Sequence, residues 1–366
     1  MSEWDAVVIG GGPAGLAAAT VMAREDLRVV LIPGDAKSDQ AHAAGWVGPA
    51  CAALMQKIDA RLTALLDAPV ERVTFLSGDG TKSASPRGDR TWCYAVEVGE
   101  LVDRLTAAAR DAGVSVADGR RATGMGAGDE GVQAQHDGGV VQARFAVVAT
   151  GASADLIGCV GLRDAHSGRR AWYARHTRRI KKTPDDRKTG LSLVVGAVGG
   201  ADLYSALRMD DRVIGTIFGH GDRADCESAW RQLAGQLGRV TDAPIAPDRA
   251  LSGQVAYRCP CLELDTHVGK HALVIGAAGG FYAQPSFEGI YPAMWSGVIA
   301  GRVVRSAVDA EHPQDALRAF DAAWRMEMGA FIRPPNTDMG LLVPLMFANP
   351  TMVDRMAGAI FDGEDF

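Results

Sequence analysis

The sequence predicts an α/β protein in which a mainly parallel sheet is interrupted by an inserted antiparallel sheet and closed by C-terminal helices. Three observations lead there. Short, mainly apolar runs recur at 5–9 (DAVVI), 27–32, 145–149 and 272–275, as expected of strands covered on both faces. Helical periodicity fills the gaps between the first of these runs. Between 171 and 257 the pattern changes to alternating segments with turn signals, as in an antiparallel sheet.

The first unit is strand 5–9, helix 14–24 and strand 27–32, a βαβ arrangement of about thirty residues. Apolar residues at helix spacing place a second helix over 50–66, and 71–77 reads as a strand. A polar break follows at 83–90. Residues 98–112 form an amphipathic helix stopped by Gly113, a usual residue just past a helix end. Residues 114–117, 132–135 and 145–149 are strand-like. In the inserted region, 191–195 and 212–218 read as strands and 225–237 as a helix. Strand 272–275 then leads through the glycine-rich 276–280 to helices at 289–308, 314–331 and 352–360. The expected division is 1–75, 92–165 and 265–340 for a discontinuous first domain, 76–91 and 166–264 for the inserted one, and 341–366 for a C-terminal helical segment.

Composition narrows the function classes. The formal net charge of −6 gives no sign of nucleic-acid binding, and no apolar run is long enough to span a membrane. No secretory signal precedes the first strand, so the expected location is the cytoplasm. The 44 glycines in 366 residues exceed the usual share of about 7% and fit a chain with many tight turns and close backbone approaches. Six cysteines stand at Cys51, Cys93, Cys159, Cys226, Cys259 and Cys261, with no metal-ligand spacing. No metal site is expected.

Gly10-Gly11-Gly12-Pro13-Ala14-Gly15 fits G-x-G-x-x-G, after a strand and opening a helix. Gly10 permits the tight turn, Gly12 lets the backbone approach a pyrophosphate, and Gly15 lets helix and strand pack closely. The helix N-terminus, beginning at Pro13 and Ala14, offers N–H groups and partial positive charge to the phosphates. The alternative is a glycine-rich turn with no ligand.

The run VVIGGGPAGLAAATVMA (7–23) resembles the opening of the FAD-dependent oxidoreductases that include p-hydroxybenzoate hydroxylase, geranylgeranyl reductases and flavin-dependent halogenases. Val147-Val148-Ala149-Thr150-Gly151 resembles that superfamily's strand end beside the cofactor, and 273–301 resembles its second FAD segment. The resemblance implies a Rossmann-type FAD-binding fold. It places cofactor contacts at Gly10, Gly12, Pro13, Ala14, Gly15, Thr150, Gly151, Gly276, Ala277, Pro285, Gly289 and Ile290. It puts Glu288 beside the flavin, where a carboxyl of raised pKa can act as general acid or base, with Tyr282 as a nearby donor.

The sequence also departs from that pattern. Pro33 stands where an acid usually holds the adenosine ribose, and Asp35, the nearest acid, reaches it only through a changed loop. Ala277 replaces the second segment's aspartate, and Val98 or Gly99 replaces an arginine at the start of the middle helix. Each lost polar contact removes on the order of 1–3 kcal/mol.

On the substrate side, His42, Trp46 and Pro49 line the expected pocket, a packed loop being the other reading. Trp172 and Tyr204 present aromatic faces from the inserted sheet or belong to its core. A basic run, Arg169-Arg170, Arg175, Arg178-Arg179 and Lys181-Lys182, is a solvated loop or meets an anionic partner: a phosphate-bearing substrate, a carrier protein or NADPH. No second nucleotide unit is present, so electrons are expected from transiently bound NAD(P)H or a separate flavin reductase. The expected function is an FAD-dependent monooxygenase acting on an aromatic or apolar small molecule, free or carrier-tethered, in specialised metabolism. The alternatives are a geranylgeranyl-reductase-like double-bond reductase and a non-redox protein that keeps the fold with weak or no FAD.

Overall fold

The computed structural model describes residues 3–34, 44–151, 153, 156–162, 171–179, 189–198, 201–209, 212–220, 228, 230–231, 252–257, 260–284, 286–334, 336 and 339–364; at 44, 171–179, 196–198, 201–204, 218–220, 252–257 and 339 only the backbone is described. The expected βαβ unit opens the chain as β1 (Trp4–Ile9), α1 (Pro13–Arg24) and β2 (Val29–Ile32). These strands belong to an eight-stranded sheet ordered β17-β18-β11-β1-β2-β8, with β17 Val268–Gly269, β18 Ala272–Val274, β11 Gly139–Val148 and β8 Ser115–Val116. From β18 to β8 every pairing is parallel, with Val8 opposite Val147 on one side and Leu31 on the other. Strands β9 (Ala122–Ala127) and β10 (Val132–His136) extend β11 as an antiparallel meander.

The uniform apolarity of the parallel strands has a direct cause. Ala6, Val8, Leu31, Phe145 and Val147 face one core with α1, α3 (Val98–Asp111) and α4 (Ile290–Val308). Val7, Ile9, Val30, Ile32 and Val148 face a second core closed by Met125, Val132, Ala134 and Val141 of the meander. Both faces are dry, so both sets of alternate residues are apolar.

A seven-stranded sheet runs β16-β12-β15-β14-β13-β5-β6, with β16 Ser252–Tyr257, β12 Ala171–Arg179, β15 Arg212–His220, β14 Ala201–Met209, β13 Gly190–Val198, β5 Arg72–Ser77 and β6 Ser83–Ala84. It is antiparallel except where β13 pairs with β5 in parallel. A small third sheet, β3 (Ala44–Val47), β7 (Cys93–Glu97) and β4 (Pro69–Val70), adjoins it. Helices α7 (Met339–Met346) and α8 (Pro350–Phe361) cover both through Leu342, Met346, Val353, Met356 and Phe361, packed against Trp46, Phe75, Trp92 and Leu193.

Local physics revised several expected elements. The single helix over 50–66 is α2 (Cys51–Ile58) and a 3-10 turn, Ala60–Leu65. Asp59 breaks it by adopting extended backbone, φ −163°, while its Oδ1 accepts the Arg61 N–H at 2.9 Å. The helix over 314–331 is α5 (Pro313–Leu317) and α6 (Ala319–Ile332). Helix α7 was unforeseen because it is apolar on most faces and contains Pro344. Strand β9, with its ATGMGA sequence, has little strand propensity and exists through pairing with β10. Of the helix expected at 225–237, only residues 228 and 230–231 are described, all helical. No disulfide joins the described cysteines, and no described helix is long and apolar enough to cross a membrane.

Candidate functional site

All five parallel strands end at one edge of the sheet, where ligands of such folds collect. The loop after β1 is the glycine turn. Gly10 has φ +118°, and a Cβ there would lie 2.1 Å from the Ala149 carbonyl oxygen. A Cβ on Gly15 would meet the Gly10 carbonyl oxygen at the same distance. Neither position has room for a side chain. Gly12 is different: a Cβ there meets nothing within 4 Å. It ends the turn as the α1 N-cap in extended backbone, with no side chain bonding the helix N–H groups and Pro13 in the first turn. The result is an open main-chain cradle at a helix N-terminus, which fits a pyrophosphate.

Two further loops close on this cradle. Gly10 adjoins Ala149 and the Thr150 N–H, and Gly151 follows with φ +64°. On the other side, the 3-10 turn Gly276–Gly279 begins at Gly276, φ +62°, whose Cβ would stand 2.7 Å from the Ala14 Cβ. The Gly276 N–H donates to Ser296 Oγ at 3.0 Å, tying the turn to α4. Helix α4 crosses α1 closely because Gly297 lies against the Ala14 carbonyl and Gly301 against Val21 and the Ala18 carbonyl. Thus the structure brings Gly10, Gly12, Pro13, Ala14, Gly15, Thr150, Gly151, Gly276 and Ala277 together.

Glu288 is 6% exposed at the start of α4. Its Oε1 accepts the N–H groups of Ile290 at 2.6 Å and Tyr291 at 2.9 Å, capping the helix. Oε2 is buried with no hydrogen-bond partner among the described residues. Burial pushes the carboxyl up to about 8, although the two N–H bonds oppose the shift. Burial also raises the thiols of Cys51 and Cys93, and the Glu288 charge adds to both. The Tyr291 hydroxyl is raised by burial, then by Cys51 and Glu288. Gly289 sits against the Cβ of Tyr282, and the Tyr282 ring stacks on Phe287 at 5.8 Å. Ile290 reaches Gly45 in β3. Tyr282, Glu288, Gly289 and Ile290 therefore form one group.

The remaining predicted positions divide by placement. Trp46 is buried edge-on against Phe361, centroids 5.1 Å apart, in the core covered by α7 and α8. Pro49 is half-buried in the loop before α2. Trp172 lies on β12 opposite Gly219 and Tyr204 on β14 opposite Ile217. Asp35, His42 and Pro285 lie outside the described residues, as do the side chains of the basic run. Pro33 ends β2 with its carbonyl accepting the Gly11 N–H at 2.9 Å, and Val98 is buried as the first residue of α3. No group of side chains among the described residues is built to hold a metal.

Sequence reasoning missed Ser296, the setting of the Cys51 and Cys93 thiols near Glu288 and a buried His267–Asp321 pair behind the Gly276–Gly279 turn. Only the Gly297-x-x-x-Gly301 spacing carried a readable signal, that of a close helix crossing.

A family model described as pyridine nucleotide-disulphide oxidoreductase matches residues 4–202. No curated protein matches the chain. Among solved structures, a geranylgeranyl bacteriochlorophyll reductase-like protein from Thermoplasma acidophilum is 14% identical, with 98% of this chain and 91% of that chain covered and a TM-score of 0.69. A flavin-dependent brominase is 16% identical, covering 98% and 94%, with a TM-score of 0.73. A myxobacterial chondrochloren halogenase, described as a variant of FAD-dependent halogenases, is 18% identical, covering 98% and 97%, with a TM-score of 0.65. At these identities the likeness is one of fold, and it is the Rossmann-type FAD-binding fold expected from the glycine turn.

Proposed function

The chain belongs to the pyridine nucleotide-disulphide oxidoreductase family, and on that premise we propose that it is an FAD-dependent monooxygenase of an aromatic or apolar small molecule. The observation that carries the reading is the Gly12 cradle: open space, main-chain N–H groups and a helix N-terminus at the C-terminal edge of a parallel sheet. Gly10, Gly12, Pro13, Ala14 and Gly15 would hold the pyrophosphate of FAD, with Thr150 and Gly151 beside it. The Gly276–Ala277 turn would follow the ribityl chain, and the α4 start at Gly289 and Ile290 would meet the ring system. Asp35 and Pro285 complete the proposed cofactor set.

The chemistry FAD supplies when bound is two-electron transfer to O₂ or to substrate, after reduction by NAD(P)H or a separate flavin reductase. The protein's part is orientation and proton supply. With a carboxyl raised to about 8, Glu288 holds a proton at neutral pH. Its Oε1 is occupied by the helix N–H groups, so the proton resides on Oε2, the oxygen without a partner among the described residues. That makes Glu288 the general acid of this reading, with Tyr282 the second donor. His42, Trp46, Pro49, Trp172 and Tyr204 are proposed for the substrate side, and the substrate is a small molecule.

A second reading, a non-redox protein on the same fold, is favoured by Pro33, Val98 and Ala277, which supply neither carboxylate nor guanidinium at three expected contacts. The absorption spectrum of the purified protein with added FAD decides between them. Bound flavin bands that bleach with NAD(P)H or a reductase are expected. A colourless protein that takes up no FAD from excess sinks the redox reading.

A further inference from the structure

His267 lies behind the Gly276–Gly279 turn with its side chain fully buried, and each ring nitrogen meets an acceptor. Nδ1 is 3.2 Å from Asp321 Oδ1, and Nε2 is 2.8 Å from the Gly279 carbonyl oxygen. A carbonyl oxygen only accepts, and so does an ionised carboxylate. The ring Nε2–H therefore donates to the Gly279 carbonyl, with Nδ1 turned to Asp321.

Asp321 is arranged as an ionised acceptor. Its Oδ1 also accepts the His267 main-chain N–H at 3.1 Å and the Trp324 indole N–H at 3.3 Å, and Oδ2 accepts the Thr266 hydroxyl at 2.5 Å. The Thr266 oxygen meanwhile accepts the Val268 N–H at 3.0 Å. Burial works against the charge, but the bonds from His267 and Thr266 outweigh it and hold the carboxyl down to about 2. Arg325, 3.8 Å from Oδ1, is the other charged group facing the pair. The remaining neighbours of the imidazole are the rings of Phe281, Phe320 and Trp324, at 4.7, 6.1 and 5.2 Å.

Two other turn carbonyls have main-chain partners: the Gly276 carbonyl accepts the Phe281 N–H and the Ala277 carbonyl the Gly280 N–H. Gly279 is bonded by the histidine instead, and a Cβ there would lie 3.0 Å from the ring's Cδ2. We propose that His267 is the positioning residue of the Gly276–Gly279 turn, holding the Gly279 carbonyl through its ring Nε2 so that the opposite side of the turn faces the cofactor. The proposal rests on the reading of that turn as a flavin contact.

The test uses two variants and FAD affinity from flavin fluorescence. In His267→Gln the amide nitrogen takes the place of Nε2 and keeps the Gly279 bond. In His267→Asn it takes the place of Nδ1 and loses that bond. His267→Asn is expected to weaken FAD binding about tenfold, and His267→Gln to stay within about threefold. With FAD bound by wild-type protein, equal or reversed losses in the two variants overturn the positioning role alone. If wild-type protein takes up no FAD, the flavin reading of the site fails and the proposal falls with it.

Discussion

Replacing Glu288 by glutamine removes the one buried acid at the start of α4 while keeping an amide oxygen for the Ile290 and Tyr291 N–H groups. The carboxyl stands at about 8 in the folded protein against an ordinary 4.5, because burial disfavours its charge. Folding therefore binds a proton between these two values. The stability Glu288 contributes is complete below pH 4.5, declines as pH rises toward about 8, and is lost above it. Each pH unit in that window removes about 1.4 kcal/mol, so the whole window removes about 5 kcal/mol. Glu288→Gln titrates nowhere in this range. The stability of wild type relative to the variant should fall by about 5 kcal/mol between pH 4.5 and about 9. Urea unfolding of both proteins, at matched pH and fixed temperature, measures this difference directly. Other depressed acids do not intrude: Asp59 and Asp321, both near 2, contribute stability above 3.8 that is lost as pH falls through about 2. Two stability curves that run parallel within about 1 kcal/mol would refute the buried-acid account.

Three other substitutions separate binding from folding. Gly12→Val places its side chain in open space at φ −82°, so stability should stay within about 0.5 kcal/mol while FAD binding is abolished. Gly10→Ala should do the reverse, because φ +118° and a 2.1 Å approach to Ala149 strain the fold; a loss of about 3 kcal/mol or more is expected by urea unfolding. Gly297→Val drives a side chain onto the Ala14 carbonyl, 2.3 Å from its Cβ, and should cost about 3 kcal/mol by separating α4 from α1. Intact stability in either of the last two would mean the turn or the crossing is looser than it stands here.

The parts of the fold written in local pattern were legible in the sequence. Strands β1, β2 and β11 announce burial on both faces because every side chain in the runs around Val7, Val8, Val30 and Val147 is apolar. The glycine turn is legible because Gly10, Gly12 and Gly15 each answer a different steric demand at fixed spacing. What depends on distant contacts was not. Asp59 breaks a helical pattern by bonding Arg61 and pairing with Arg24, 35 residues away. His267 and Asp321 are 54 residues apart and meet only once α6 packs behind the second glycine-rich turn. Glu288 could be placed near the flavin by its motif, but nothing in the motif says that one oxygen caps α4 and the other is left alone.

Recognition built from main chain and recognition built from side chains have different tolerances to substitution, and this chain separates them. The Gly12 cradle and the α1 N-terminus use N–H groups whose direction follows from backbone geometry alone. Pro33 leaves that geometry intact, since its carbonyl still accepts the Gly11 N–H. Val98 improves burial at the start of α3, and Ala277 fits a turn held by Ser296 and His267 rather than by its own side chain. Changes at these three positions therefore alter the polar groups around the proposed site without disturbing the Gly12 cradle. The cradle and the fold persist together because the same close glycine contacts produce both.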